Sequence, residues 1–221
     1  MEIISKEHKS FFTNRRFITS LVVGFVFLAV ALVVNYYASV YATDRASNYV
    51  NDIILSNIPV FDVDQIFVFG PFVFWAIIAV FCFHKPQRIP FTAKSIALFI
   101  IIRAGFVTLT HVGPFPTEIP INYNSDWIWW TSQGGDLFFS AHTGLPYLMA
   151  LVFGALNKWF FYVFTATAAF FGAVVLLGHL HYSIDVAAAF FITYSIYHIA
   201  IRWFKKDKEM FEKGLPTLPA N

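Results

Sequence analysis

The chain has 221 residues, of which 58% are hydrophobic and only 13% charged. A water-soluble domain carries about twice that charged fraction, so the composition excludes one and marks an integral membrane protein. The net charge of +2 does not signal nucleic-acid binding, because the basic residues sit where membrane insertion places them, and the single cysteine, Cys82, excludes an internal disulfide.

Six apolar stretches are long enough to cross a hydrocarbon core, which takes roughly 20 helical residues. A basic segment, residues 1–16, precedes the first, near Phe17–Tyr41. That run resembles a secretory signal but is too long for one, so it reads as a retained span. The next five lie near Ile66–Phe83, Thr92–Thr110, Leu137–Leu156, Trp159–Leu177 and Ile184–Phe204. One membrane domain therefore covers residues 17–204, and the tail, 205–221, is charged, then Pro-rich, and reads as a helix extension that frays into disorder. No internal repeat or second domain is visible.

Charge sets the orientation. Lys6, Lys9, Arg15 and Arg16 precede the first span, Lys85, Arg88 and Lys94 separate the second and third, and Lys158 separates the fourth and fifth. Arg202, Lys205, Lys206, Lys208 and Lys213 follow the sixth, leaving only Arg45 on the opposite side and Arg103 within a span. The positive-inside rule then makes both termini cytoplasmic. The predicted fold is all-α: a six-span bundle whose outer loops carry Asp44, Asp52, Asp62, Asp64, Glu118, Asp126 and Asp136.

Two polar clusters fall at the outer membrane edge. The first is Gly134–Gly144, where Asp136, Ser140, His142 and Thr143 crowd the start of the fourth span. Gly134, Gly135 and Asp136 have turn and N-cap character for a helix starting near Leu137. Asp136 is therefore either a cap or a site residue, and Ser140 and Thr143 have the option of bonding back to helix carbonyls. The second cluster opens the sixth span, with His181 and Asp185 four residues apart. On a helix that spacing stacks them one turn apart, and the carboxylate would fix the imidazole tautomer and leave the other nitrogen free. The pair is either a nucleophile with its orienting group or a self-satisfied structural contact. Arg103, roughly 10 Å of helix below the outer end of the third span, needs an anionic partner at that depth. A phosphate, Asp185 and Asp136 all meet that need.

"GDLFFSAHT" (Gly135–Thr143) followed by "HLHYSIDV" (His179–Val186) resembles the sphingomyelin-synthase-like branch of the phosphatidic acid phosphatase superfamily, which writes Gly-Asp-x-x-x-Ser-Gly-His-Thr and His-x-His-Tyr-Thr-x-Asp. "IPVFD" (Ile58–Asp62) and Arg103 are weaker echoes, and the resemblance spans about Ile58 to Phe204. Ala141 and Ser183 replace the family's glycine and threonine. Val174-Val175 stand where the phosphatase branch has a Ser-Arg pair, and that branch's upstream Lys-x6-Arg-Pro signature is missing, which favours the transferase-like branch.

The resemblance implies a catalytic triad on the outer face. His181 would attack phosphorus and become a phosphohistidine, Asp185 would orient and stabilise it, and His142 would protonate the departing oxygen and then deprotonate the acceptor. Arg103, Asp136, Ser140, Thr143 and Tyr182 are assigned to binding the phosphate or substrate. No metal or other cofactor is implied. The expected partners are membrane lipids as donor and acceptor, with no nucleic acid, and a homo-oligomer is left open. The expected reaction moves a phosphocholine-type head group from a phospholipid to a ceramide- or diacylglycerol-like hydroxyl; with water as acceptor it becomes a phosphatase or phospholipase-like hydrolase.

Two other classes compete. A metal-dependent membrane oxidase would use His111, His142, His179 and His181, but residues two apart face different sides of a helix and the His-x-x-x-His groups of such enzymes are missing. A transporter or structural protein would place its polar groups near the midplane, where only Arg103 comes close. The roles of Glu118 and Asp126 are not legible in the sequence.

Overall fold

The computed structural model describes residues 10–118 and 136–215. Among these residues the regular structure is helical, with no strand. In chain order the helices are α1 (Arg15–Asp44), α2 (Asp64–His84), a 3-10 turn (Pro86–Arg88), α3 (Ile89–Leu109), α4 (Ala141–Gly154), α5 (Lys158–Leu177), α6 (Ser183–Trp203) and α7 (Lys205–Lys213). Five of them are long and apolar enough to cross a membrane: α1, α2, α3 with its leading 3-10 turn, α5 and α6. Many of their side chains are exposed and apolar, such as Val22, Val26, Val30 and Val33 on α1 and Val73 and Val80 on α2. Water would penalise such faces; a bilayer solvates them, and a helix satisfies its own backbone there.

The fourth expected span differs from the expectation. Residues 136–140 are not helical, and α4 starts at Ala141 rather than near Leu137. Its 14 residues make about 21 Å of helix, short of the roughly 30 Å hydrocarbon core. The cause is local. Arg103 draws the carbonyls of Asp136 and Phe139 into its guanidinium, so they cannot open a helical ladder. Ser140 then caps the helix, its Oγ accepting the Thr143 N–H at 3.4 Å.

Packing centres on α3, which lies along α1 and also touches α4, α6 and α7, while α4 packs against α5 and α6. Phe99, Phe139, Leu148, Met149, Phe153 and Ile196 form the fully buried middle. Close approach at one point depends on Gly144, where a Cβ would stand 2.7 Å from the Phe99 ring and 3.0 Å from the Thr193 hydroxyl. Small residues permit this kind of close crossing, which matters where lipid removes the hydrophobic drive for helix association.

The C-terminal segment continues as the helix α7 and docks, while its Pro-rich end, residues 216–221, lies outside the described residues. Met210 and Phe211 are buried, Phe211 lying edge-on to Phe91 and Phe153. Asp207 accepts from Lys94 Nζ at 2.7 Å and from the Ser20 hydroxyl, and Lys94 also donates to Ser20 at 2.8 Å. This buried network ties α7 to α1 and α3. An amphipathic segment with two large apolar anchors and a carboxylate matched to a buried lysine has more to gain by docking than by staying solvated.

The helix termini sort the loops into two ends. Residues 45–63, 110–118, 136–140 and 178–182 gather at one, and the basic segments around Arg15, Arg88, Lys158 and Lys205 gather at the other.

Candidate active site

The two polar motifs meet at the loop-bearing end. The Ser140 N–H donates to the Asp185 carbonyl at 3.2 Å, joining the start of α4 to the first turn of α6. His142 therefore sits in the first turn of α4, within electrostatic reach of His181 and Arg103.

His181 and Asp185 pair, but not as neighbours on one helical face. His181 precedes α6, Tyr182 is the N-cap and Asp185 the third helical residue. Asp185 Oδ2 reaches back to accept the Tyr182 N–H at 2.9 Å and lies 3.5 Å from His181 Nδ1. The capping box thus turns the carboxylate toward the imidazole. Both side chains are buried, and at 3.5 Å the contact is an ion-pair approach, longer than a good hydrogen bond. Catalytic contacts commonly tighten only when substrate binds. With Nδ1 facing the carboxylate, Nε2 is the nitrogen left for chemistry.

His142 is held by α2. Its ring stacks on Phe67, with centroids 4.1 Å apart and planes at 19°, and its Nε2 lies 3.2 Å from the Phe67 carbonyl. A carbonyl only accepts, so the proton rests on Nε2 and Nδ1 is left to exchange protons. A small apolar pocket of ≈ 90 Å³ opens beside it, lined by Pro71, Phe74, Ala141, Leu145 and Phe171 among others.

Arg103 is 4% exposed, and its donors go to the 136–139 segment. Nε donates to the Phe139 carbonyl at 2.8 Å, Nη1 to Asp136 Oδ2 at 2.9 Å and Nη2 to the Asp136 carbonyl. Asp136 also accepts from the Ser39 hydroxyl at 3.2 Å, which brings in α1. Of the two carboxylates open to Arg103 in the sequence, the partner is Asp136 and not Asp185. Asp136 is not a cap, since Ser140 takes that position. Tyr182 is buried, its hydroxyl donating to the Gly113 carbonyl at 2.8 Å and accepting from the Val50 N–H at 3.3 Å. Thr143 is buried next to Gly172 of α5, its hydroxyl without a hydrogen-bond partner among the described residues.

Two contributors were not picked out from the sequence. Phe67 has no distinguishing signal in a chain with 28 phenylalanines. Asp52 counted only as one outer acid, yet its Oδ2 accepts the Ser183 N–H at 2.7 Å and its Oδ1 the N–H groups of Ile54 and Leu55 at 2.8 and 3.1 Å. It therefore pins a distant loop to the first residue of α6, beside His181. The loops are zipped further: Ser47 N–H bonds to the His111 carbonyl at 2.7 Å and Gly113 N–H to the Asn48 carbonyl at 3.2 Å. A Cβ on Gly113 would meet the Ser47 carbonyl at 2.2 Å, so this approach needs glycine.

Two carboxyls at the loop-bearing end titrate in opposite directions. Burial acts to raise Asp52, but the N–H donors from Ser183, Leu55 and Ile54 outweigh it and hold the group below its ordinary value. Burial raises Glu118 to about 7, and its Oε2 has no hydrogen-bond partner among the described residues. Between about pH 4.5 and 7 the folded protein keeps the Glu118 proton that the unfolded chain has released. Stability due to this group is therefore complete below that window and lost as pH rises through it. Replacing Glu118 by Gln is expected to remove a fall of up to about 3 kcal/mol between pH 5 and 8, read by denaturant unfolding at the two pH values. An identical fall in the variant would assign the slope elsewhere.

Among the described residues no three His, Cys, Asp or Glu side chains group so as to hold a metal ion. Asp126 lies outside the described residues.

Comparison with curated proteins and with solved structures finds no match. Residues 133–202, about a third of the chain, match the family model described as PAP2 superfamily C-terminal. The matched stretch contains both polar motifs and the backbone bond that joins them. It supports membership of the PAP2 superfamily, and with it a phosphatase or phosphotransferase activity on lipids.

Proposed function

We propose that the protein is a membrane lipid phosphotransferase of the sphingomyelin-synthase-like kind, working through a phosphohistidine at the outer face of a six-span bundle. The observation that carries this reading is the Ser140–Asp185 backbone bond. It brings a histidine backed by a carboxylate close to a second histidine, whose Nε2 is taken by the Phe67 carbonyl and whose Nδ1 is left for proton transfer. In this reading α4, with the 136–140 segment, completes the sixth crossing, and the basic end faces the cytoplasm.

In the first half-reaction His181 Nε2 attacks phosphorus. The P–O bond to the leaving alcohol breaks as His142 gives that oxygen a proton from Nδ1. Asp185 holds His181 by Nδ1 and balances the charge that forms on the ring. In the second half-reaction the neutral His142 takes the proton of the acceptor hydroxyl, the acceptor oxygen attacks phosphorus and the P–N bond breaks. Arg103 and Asp136 hold the segment that carries Ser140, Asp52 and Tyr182 hold the start of α6, and Thr143 has the one unpartnered hydroxyl among the expected binding residues. An apolar groove of ≈ 540 Å³ between α2 and α5 shares Phe74 and Phe171 with the pocket at His142, and gives a lipid tail a path to the site.

Head-labelled phosphatidylcholine, incubated with the purified protein with and without ceramide or diacylglycerol, tests the reading. Label transferred to the added lipid hydroxyl is the expected result. Label released to water at the same rate whatever acceptor is added would make the protein a hydrolase that shares the first half-reaction. No conversion of this or other phospholipids, phosphatidic acid included, would end the reading.

A further inference from the structure

The end of the bundle opposite the histidines has cavities of its own. One, of ≈ 850 Å³, lies between the start of α1 and the α6–α7 junction, with Val23, Phe27 and Trp203 among its walls. A second, of ≈ 350 Å³, shares Arg16, Lys206 and Asp207 with the first and continues along α7 to Leu215. Arg15, Arg16, Lys205 and Lys206 are exposed along the opening, and none has an ion-pair partner among the described residues. The lining acid Asp207 is already matched by Lys94, which leaves Glu209 alone to offset them.

The positive-inside rule accounts for cations at this end. It does not account for their gathering around one concavity, since Lys85, Arg88 and Lys158 share this end and line neither cavity. Nor does it account for the walls. Val23 is half exposed and Trp203 is 71% exposed, and both continue onto the lipid-facing sides of α1 and α6. An anion with no hydrophobic part would leave those walls unused. A zwitterionic lipid would bring its own cation against four others.

We propose that this groove binds an anionic phospholipid, with its phosphate on Arg15, Arg16, Lys205 and Lys206 and an acyl chain along Val23, Phe27 and Trp203. Basic clusters at membrane edges take anionic head groups at about 1 kcal/mol per cation, and tryptophan suits that depth. The bound lipid would bridge α1 to α7 beside the Ser20–Lys94–Asp207 network. The inference is independent of the reaction at the other end.

The test uses the full chain purified in neutral detergent, with binding read by native mass spectrometry and by thermal unfolding. Phosphatidylglycerol is expected to stay bound and raise Tm, whereas phosphatidylcholine and inorganic phosphate are not. The exchange of Arg16 and Lys206 for Gln together is expected to weaken phosphatidylglycerol about 25-fold, or about fivefold per charge, with the lipid-free Tm unchanged. The single exchanges Arg15→Gln and Lys205→Gln cover the case of a misfolded double variant and are expected to give about fivefold each. Lys85→Gln with Lys158→Gln, at the same end but outside the cavities, is the control and is expected to change nothing. Equal retention of phosphatidylcholine, full protection by inorganic phosphate, or an equal loss in the control would overturn the proposal.

Discussion

His181→Ala is expected to lower turnover by about 10⁴-fold or more and to leave no label on the protein when the donor is labelled in its phospho group. The expectation rests on the asymmetry of the two histidines. His181 has the Asp185 carboxylate at 3.5 Å, whereas His142 faces a carbonyl and a phenyl ring. Only the first has a partner able to stabilise the positive charge of a phosphorylated ring. In the wild type the label should be acid-labile and alkali-stable, as a phosphoramidate is. In His142→Ala it should form slowly with a poor leaving group and at near-normal rate with an activated one, since such a donor needs no acid. Asp185→Asn should slow both half-reactions. It should also loosen the start of α6, because an amide is a poorer acceptor for the Tyr182 N–H. Label trapped on His142, or full activity in His181→Ala, would end this assignment.

Arg103→Leu is expected to lower stability by about 3–5 kcal/mol, the penalty for stripping one partner from a buried ion pair. Three donors vanish together: the contact with the Asp136 carboxylate and those with the Asp136 and Phe139 carbonyls. The 136–140 segment would lose its anchor, and the Ser140–Asp185 bond that aligns the two histidines would loosen with it. Turnover should therefore fall with stability. Arg103→Lys keeps a charge for Asp136 but not the planar fork that serves two carbonyls, so an intermediate loss is expected. A paired replacement, Arg103→Leu with Asp136→Leu, should recover much of the stability by removing the stranded carboxylate. If the double variant is no more stable than Arg103→Leu alone in thermal unfolding, the ion pair is not what holds the segment.

The C-terminal helix shows how local reading falls short. A nine-residue charged segment has little reason to be helical by itself. The sequence does not show that Asp207 would meet Lys94, 113 residues earlier, or that Phe211 would fill a space between Phe91 and Phe153. The His181–Asp185 pair makes the same point on a smaller scale. Its four-residue spacing is legible in the sequence, but the two residues lie across the start of the helix, His181 before it and Asp185 in its first turn, and not on one helical face. Where the chain enters α6 depends on the Tyr182–Asp185 capping box within that spacing and on Asp52, a partner far outside it.

The sequence by itself determined the membrane class, five of the spans to within a few residues, the segregation of basic residues to one end and the two polar motifs. These rest on hydropathy and charge, which act locally along the chain and against the bilayer as a solvent. The tertiary structure alone decided that Arg103 pairs with Asp136 and not with Asp185, that α4 begins at Ala141, that Phe67 holds His142, and that Asp52 and Tyr182 lock the loops above α6. Each of these depends on which buried donor finds which acceptor across distant segments. A buried polar group left unpaired is costly, so the fold must supply a partner, and several candidates stand equally near in sequence terms. Only packing chooses among them.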